Sequence, residues 1–257
     1  RLLESTLVTT IKNADGSTKT DTSIVSYKYE GDHLVDASGQ SNFIGQDGCW
    51  WQYTDNAGHF LIRNEDAEGN ITYFYLDPVT GQNIFVPESQ VQATLKDGNK
   101  YSGFSDTQYE IAYGQPMVKQ AHSQVSYYGA NINPGELLRI EDTTTTDNNA
   151  LVTYTNDLGV KFLKMQTLGS EEHTEVTDPL RDPDNSHMQI TDISTSNIYN
   201  ARGNFAEVLA SGQGSGWEYS SERGWYGQYT STITETYIII FNQPLRINYI
   251  EEKNYID

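Results

Sequence analysis

Tryptophan and tyrosine set among glycines in an extended chain can offer flat apolar rings to the faces of sugars. The stretches Gly216-Trp217-Glu218-Tyr219 and Gly224-Trp225-Tyr226-Gly227 have that make-up. In a strand successive side chains alternate, so Trp217 and Tyr219 share one face and Glu218 takes the other. Rings there would stack on sugars while nearby Gln, Asn and Asp bond the hydroxyls. Trp217, Tyr219, Trp225 and Tyr226 are therefore candidates for glycan binding. Trp51 and Tyr53, from Trp50-Trp51-Gln52-Tyr53, form a second cluster. The competing expectation is that these aromatics cover the pleat as cross-strand pairs, with at least one of Trp50 and Trp51 in a core.

Oxygen donors gather in Asp178-Pro179-Leu180-Arg181-Asp182-Pro183-Asp184-Asn185-Ser186. Asp182, Asp184 and Ser186 stand at the first, third and fifth places of an EF-hand-like loop, which makes calcium the one cofactor to consider. The pattern breaks at His187, in the place of the sharp-turn glycine, and at Ile193, in the place of the bidentate glutamate. A solvated acidic loop is the alternative.

Glycoside hydrolysis needs two carboxyl groups about 5–10 Å apart. Glu207, Glu218, Glu222 and Glu235 lie nearest the aromatic stretch, although outward-facing strand positions carry such residues routinely. His33, His59, His122, His173 and His187 are scattered, and none forms a His-Glu-x-x-His zinc helix. In Glu172-His173-Thr174-Glu175 a strand would divide the polar groups between two faces. No nucleophile elbow, phosphate loop or dinucleotide fingerprint is present, so no catalytic residue is assigned.

The whole chain bounds these options. Its 257 residues carry 16 Lys and Arg against 35 Asp and Glu, a formal charge of −19. Such a surface repels phosphate, which excludes a nucleic-acid partner. The longest apolar run, Tyr237-Ile238-Ile239-Ile240-Phe241, is far too short for a helix to span a bilayer, so no membrane insertion is expected. A single cysteine, Cys49, forbids an intrachain disulfide. The first residue, Arg1, points to a processed or trimmed chain. Abundant Asn, Gln, Ser, Thr, Gly and Tyr suggest an extracytoplasmic protein: secreted, periplasmic or on the cell surface.

The elements that must position these residues read as strands. β-Branched and aromatic runs such as residues 6–11, 23–29, 59–62, 71–75, 150–155 and 230–241 alternate with turn clusters at 13–16, 46–48, 55–58, 66–69, 77–81, 96–99 and 156–159. Residues 204–210 and 136–141 could each form two helical turns or a strand. The fold expected is all-β, an antiparallel sandwich or meander of many short hairpins with little helix. Residues 1–168 would be one β-rich domain or the first half of a single one. Residues 169–186 would be an acidic loop or linker, and residues 187–257 a β-rich C-terminal part. Tyr27-Lys28-Tyr29-Glu30-Gly31-Asp32-His33-Leu34 and Gly69-Asn70-Ile71-Thr72-Tyr73-Phe74-Tyr75-Leu76-Asp77 resemble the tyrosine–aspartate repeats of the Rhs family. Those repeats form β-hairpin shells and surface scaffolds; the resemblance covers two units with no fixed period.

Together these features suggest a non-enzymatic interaction or surface-assembly module with a glycan or cell-surface protein as partner. Two alternatives stand beside it. One is a polysaccharide-degrading enzyme using carboxylates near Trp217 and Trp225. The other is a polymerising structural subunit that self-associates through residues 238–241 exposed at a sheet edge.

Overall fold

The computed structural model describes residues 1–65, 69–78, 80–129, 135–156, 158–220 and 223–256. Parts of the turns expected at 66–69, 77–81 and 156–159 lie outside the described residues, as does Glu222.

The chain begins with β1 (Glu4–Lys12), β2 (Thr18–Glu30) and β3 (His33–Gln46), antiparallel neighbours in that order. Five short strands follow: β4 (Trp50–Thr54), β5 (Phe60–Glu65), β6 (Ile71–Leu76), β7 (Asn83–Val86) and β8 (Gln92–Lys96), with one 3-10 turn at Glu88–Gln90. The long strands then resume as β9 (Lys100–Ala112), β10 (Gln115–Tyr128), β11 (Leu137–Thr155), β12 (Lys161–Thr177), β13 (Gln189–Tyr199), β14 (Phe205–Ser220), β15 (Gly224–Ile240) and β16 (Gln243–Tyr255).

The protein is thus all-β, and of the two arrangements expected it adopts the meander. Eleven strands form one sheet in the order β1-β2-β3-β9-β10-β11-β12-β13-β14-β15-β16, and the other five form a second sheet, β7-β6-β5-β4-β8. The second sheet grows out of the first: β3 pairs with β9 up to Gln46 opposite Lys100, and the ladder resumes with Trp50 opposite Lys96.

The strands are longer than the runs of four to seven residues that β-branched clusters pick out, reaching 19 residues in β11. Two expectations change accordingly. Residues 169–177 are the second half of β12 rather than the start of a loop. Their acidic side chains are divided between the two faces of the sheet, Glu171, His173 and Glu175 on one and Glu172, Thr174 and Val176 on the other. Residues 205–210 open β14 as strand, with Val208 and Ala210 turned inward and buried and Glu207 and Leu209 exposed. One sheet runs continuously through the stretch at 169–186.

The accessible surface is 16,695 Å², whereas a compact chain of this mass exposes about 11,000 Å². The excess is that of open sheet: among the described residues the strands pack chiefly against their ladder neighbours. Buried hydrophobics are correspondingly few and scattered among the described residues, and those that cluster are Ile193, Ala210 and Ile233, with Tyr237 packed against them. Large residues of β15 lie opposite small ones of β14, Tyr229 facing Gly216 and Ile233 facing Gly212. At Gly212 a Cβ would fall 2.3 Å from the Asp192 carbonyl oxygen, so only glycine lets β13 and β14 approach there.

Residues 238–240 belong to β15, which lies between β14 and β16 and is not an edge strand, although the ladder to β14 ends at Ala210 opposite Glu235. Ile238, Ile239 and Ile240 pair with Leu245, Pro244 and Gln243 of β16, and Phe241 and Asn242 form the connecting two-residue turn. Both turn residues have positive φ, the type I′ geometry whose twist matches the flanking strands. The actual edges of the large sheet are β1 and β16.

Candidate functional site

Residues 178–188 join β12 to β13 and fold against the far end of the β14–β15 hairpin. The loop is built around Asp182, which is 3% exposed. Its Oδ2 accepts the His187 backbone N–H at 2.6 Å, and its Oδ1 accepts the Ser186 hydroxyl at 3.1 Å and His187 Nδ1–H at 3.0 Å. A carboxylate only accepts, so the proton on that ring nitrogen is fixed by its partner. Burial opposes ionisation of Asp182, but the donors from His187 and Ser186 outweigh it and hold the carboxyl well below the usual carboxylate range. Asp178 fixes the start of the loop, accepting the Arg181 backbone N–H at 3.1 Å and its guanidinium at 2.9 Å.

His187 carries this loop onto the aromatic residues. Its ring lies parallel to Trp225 (centroids 5.0 Å, 2°) and edge-on to Trp217 (5.0 Å, 83°). Tyr219 meets Trp225 edge-to-face at 5.3 Å, and the Arg181 guanidinium sits 4.6 Å above the Tyr219 ring. Trp225 Nε1–H donates to the Arg181 carbonyl at 3.2 Å. The two sequence candidates, aromatic stretch and acidic loop, therefore meet in one place. Beside them opens a cleft of about 320 Å³, lined also by Arg139, Gln189, Glu218 and Lys253. Three cations (Arg139, Arg181, Lys253) and two carboxylates (Asp178, Glu218) line it, a nearly balanced patch in a chain of charge −19.

The register explains which aromatics take part. Tyr219 lies opposite Trp225, and Glu218 opposite Tyr226, with Gly227 inserted as an extra residue before Gln228. At φ 61° Gly227 supplies the left-handed first position of a G1-type bulge. Trp217, Tyr219 and Trp225 thus share a face, and Glu218 and Tyr226 alternate to the other; the cleft at this end of the hairpin takes lining from both faces. There Glu218 accepts hydrogen bonds from Tyr255 (2.7 Å) and Lys253 (3.2 Å), which keep its carboxyl below the ordinary range despite partial burial.

Trp51 and Tyr53 lie in β4 of the small sheet, apart from this cleft. Trp50 and Trp51 are 46% and 55% exposed, so neither is core. Tyr53 is half-buried and packs on Tyr73 at 5.2 Å.

Asp182 commits its oxygens to its own loop, and Asp184 accepts the Ser186 N–H at 3.4 Å. Among the described residues no group of three or more His, Cys, Asp or Glu is placed to hold a metal ion. Glu218 and Glu235 share a face, but Glu235 is nine positions beyond Tyr226 along β15, roughly 25–30 Å at strand rise. That is far outside the separation of a glycosidase pair. Glu235 is instead a buried acceptor, bonded to the Tyr237 hydroxyl (2.6 Å) and to Arg246 (2.5 Å).

A second polar group lies on the outer face of β10–β13. His173 Nδ1 is 2.6 Å from Asp192 and Nε2 3.3 Å from Glu175, so both nitrogens face carboxylates and its pKa is raised. Asp142, directly opposite Glu175, accepts from His122 Nε2 at 2.9 Å.

Arg139 and Lys253 entered the cleft unannounced, because they come from strands remote in sequence, and Gln189 because it opens the strand that follows the loop. His187 stood in plain view one residue past Ser186, but as an interruption of a calcium pattern rather than as the link between loop and rings.

Compared with known proteins, the chain matches no family model and no curated protein. The Rhs-like likeness remains confined to its two tyrosine-rich stretches.

Proposed function

We propose that this chain is a non-enzymatic, extracytoplasmic interaction module that binds a glycan in the cleft between residues 178–188 and the β14–β15 hairpin. The observation that carries the reading is the convergence there of half-buried aromatic rings with planar hydrogen-bonding groups. Tyr219 and Trp225 offer apolar ring surface, while Arg139, Arg181 and Gln189 offer donors suited to hydroxyl or carboxylate oxygens. The near balance of charge in the cleft suits a neutral or weakly anionic ligand. The composition supports the extracytoplasmic placement.

The test is depletion of the purified chain by a panel of insoluble polysaccharides, with released sugar ends assayed in parallel. Depletion without release is the expected result. Tyr219→Ala, which removes a 39% exposed ring, should weaken binding at least tenfold with little change in melting temperature. Released sugar ends would make the chain an enzyme, and absence of depletion from every polysaccharide would remove glycans from the reading.

A further inference from the structure

The two edges of the large sheet differ in how they are protected. β16 has Pro244 at its second position, a register shift against β15 near Ile247, and Arg246, Glu251, Glu252 and Lys253 along its length. Proline, bulges and charges are the devices that keep an edge from pairing with another strand. β1 has none of them in its interior. Its nine residues, Glu-Ser-Thr-Leu-Val-Thr-Thr-Ile-Lys, pair with β2 without a single register shift, and its other side pairs with no strand among the described residues. Leu7 and Val8 are 62% and 61% exposed.

Eleven antiparallel strands make an odd number, so β1 and β16 run in the same direction. Copies stacked by translation would bring β16 against β1 in parallel. Antiparallel pairing that keeps matching faces of the two sheets on the same side requires a two-fold axis normal to the sheet and joins β1 to β1. The sequence of β1 is complementary to itself in that arrangement. With the axis at Val8, all nine residues find a partner: Glu4 opposite Lys12, Ser5 opposite Ile11, Thr6 opposite Thr10, Leu7 opposite Thr9, and Val8 opposite Val8. Opposite charges thus meet at both ends of the shared ladder, where directly opposed pairs interact most strongly. Moving the axis by one residue either way leaves overhanging ends and separates both charge pairs.

We propose that a second copy of this chain occupies the outer edge of β1, forming a closed two-fold dimer whose large sheets join through antiparallel β1–β1 pairing about Val8. An isologous contact of this kind uses up the edge in both partners and does not propagate, so it yields a dimer and not a filament.

Sedimentation velocity of the purified chain over a concentration series should show a monomer–dimer equilibrium. Glu4→Lys and Lys12→Glu, each at an exposed strand end, should each raise the dissociation constant at least tenfold. Each variant alone sets like charges against each other at both ends of the ladder. Mixing the two should restore dimer, because a lysine of one chain then faces a glutamate of the other at each end. In a Cys49→Ser background, Val8→Cys should give a disulfide-linked dimer on mild oxidation, whereas Leu7→Cys and Thr9→Cys, which are not self-opposed, should not. A wild-type chain that stays monomeric at every concentration would overturn the proposal. So would a dimer indifferent to the charge reversals, or one cross-linked best through position 7 or 9. Glycan binding is read separately, so either proposal can fail without the other.

Discussion

Asp182 does for its loop what a bound cation does in loops of similar composition, but with the charge reversed. Donors from Ser186 and His187 converge on one buried carboxylate instead of carboxylates converging on an ion. Because its folded pKa is depressed below 3.8, ionised Asp182 contributes stability that is fully present above the unfolded value. That contribution is lost as pH falls through the folded one. Only acidification well below about pH 4, the ordinary carboxylate range, should therefore release His187 from Trp217 and Trp225, seen as a change in tryptophan emission as pH falls through the depressed folded value. Asp182→Asn should show the released spectrum already at pH 7 and lose the acid-dependent step. An unchanged emission profile in that variant would remove Asp182 as the organiser of the cleft. A second buried carboxylate gives a stability prediction. Glu235 is satisfied by Arg246 and by Tyr237, whose hydroxyl is pushed up to about 12 by burial and by the bond to Glu235. Arg246→Met should cost about 1–3 kcal/mol in urea unfolding, since it strips a hydrogen bond from a buried acceptor. Glu235→Gln should cost less, because the amide oxygen can still accept from Arg246 while the Tyr237 hydroxyl turns to accept from the amide N–H.

The energetics of individual strands rest on a few positions. Ile233 is 2% exposed at the centre of the only hydrophobic cluster found among the described residues. Ile233→Ala should destabilise by about 2–4 kcal/mol in chemical denaturation, the range for a truncated core aliphatic. Gly212→Ala, directly opposite it, should be at least as damaging although it adds only a methyl group, because the β13 backbone stands in the way. A loss smaller than that of an exposed substitution such as Thr234→Ala would mean that the strands can move apart freely. The outer face predicts a pH effect of opposite sign to that of Asp182. His173 has a raised pKa, so its contribution is fully present below the unfolded value of 6.5 and fades as pH rises through the folded one. The melting temperature of the wild type relative to His173→Gln should fall over that interval; the pair is half exposed, so the change is small. These elements were legible in the sequence to unequal degrees. Turn residues such as Asn13-Ala14-Asp15-Gly16 announced their hairpin correctly, because glycine and aspartate act locally. Strand lengths were not legible, because both faces of a single layer carry polar residues and the alternation that marks a half-buried strand fades. Thus Glu171 to Val176, within the stretch expected as an acidic loop or linker, pair on both sides.

At the scale of the molecule, the open sheet determines how the protein comes apart. Judged by area, it buries about 60% of its unfolded surface, where a compact chain of this length buries roughly 75%. Denaturant sensitivity scales with the surface exposed on unfolding, so the total slope should fall below that of compact proteins of equal length. Each long strand packs chiefly against its two neighbours, an arrangement closer to a repeat array than to a globule, and such arrays unfold from their ends. Hydrogen exchange should therefore grade across the sheet. Protection should be greatest in β13, β14 and β15 around Ile193, Ala210 and Ile233, and should decline toward β1 and β16, whose residues are exposed throughout. The dimer proposed above adds a concentration dependence to one side only: raising protein concentration should slow exchange in β1 and leave β16 unchanged, because only β1 gains a partner. Protection uniform across all eleven strands would instead require a covering layer or ladder partner on both edges, and would contradict a sheet that stands open on its own.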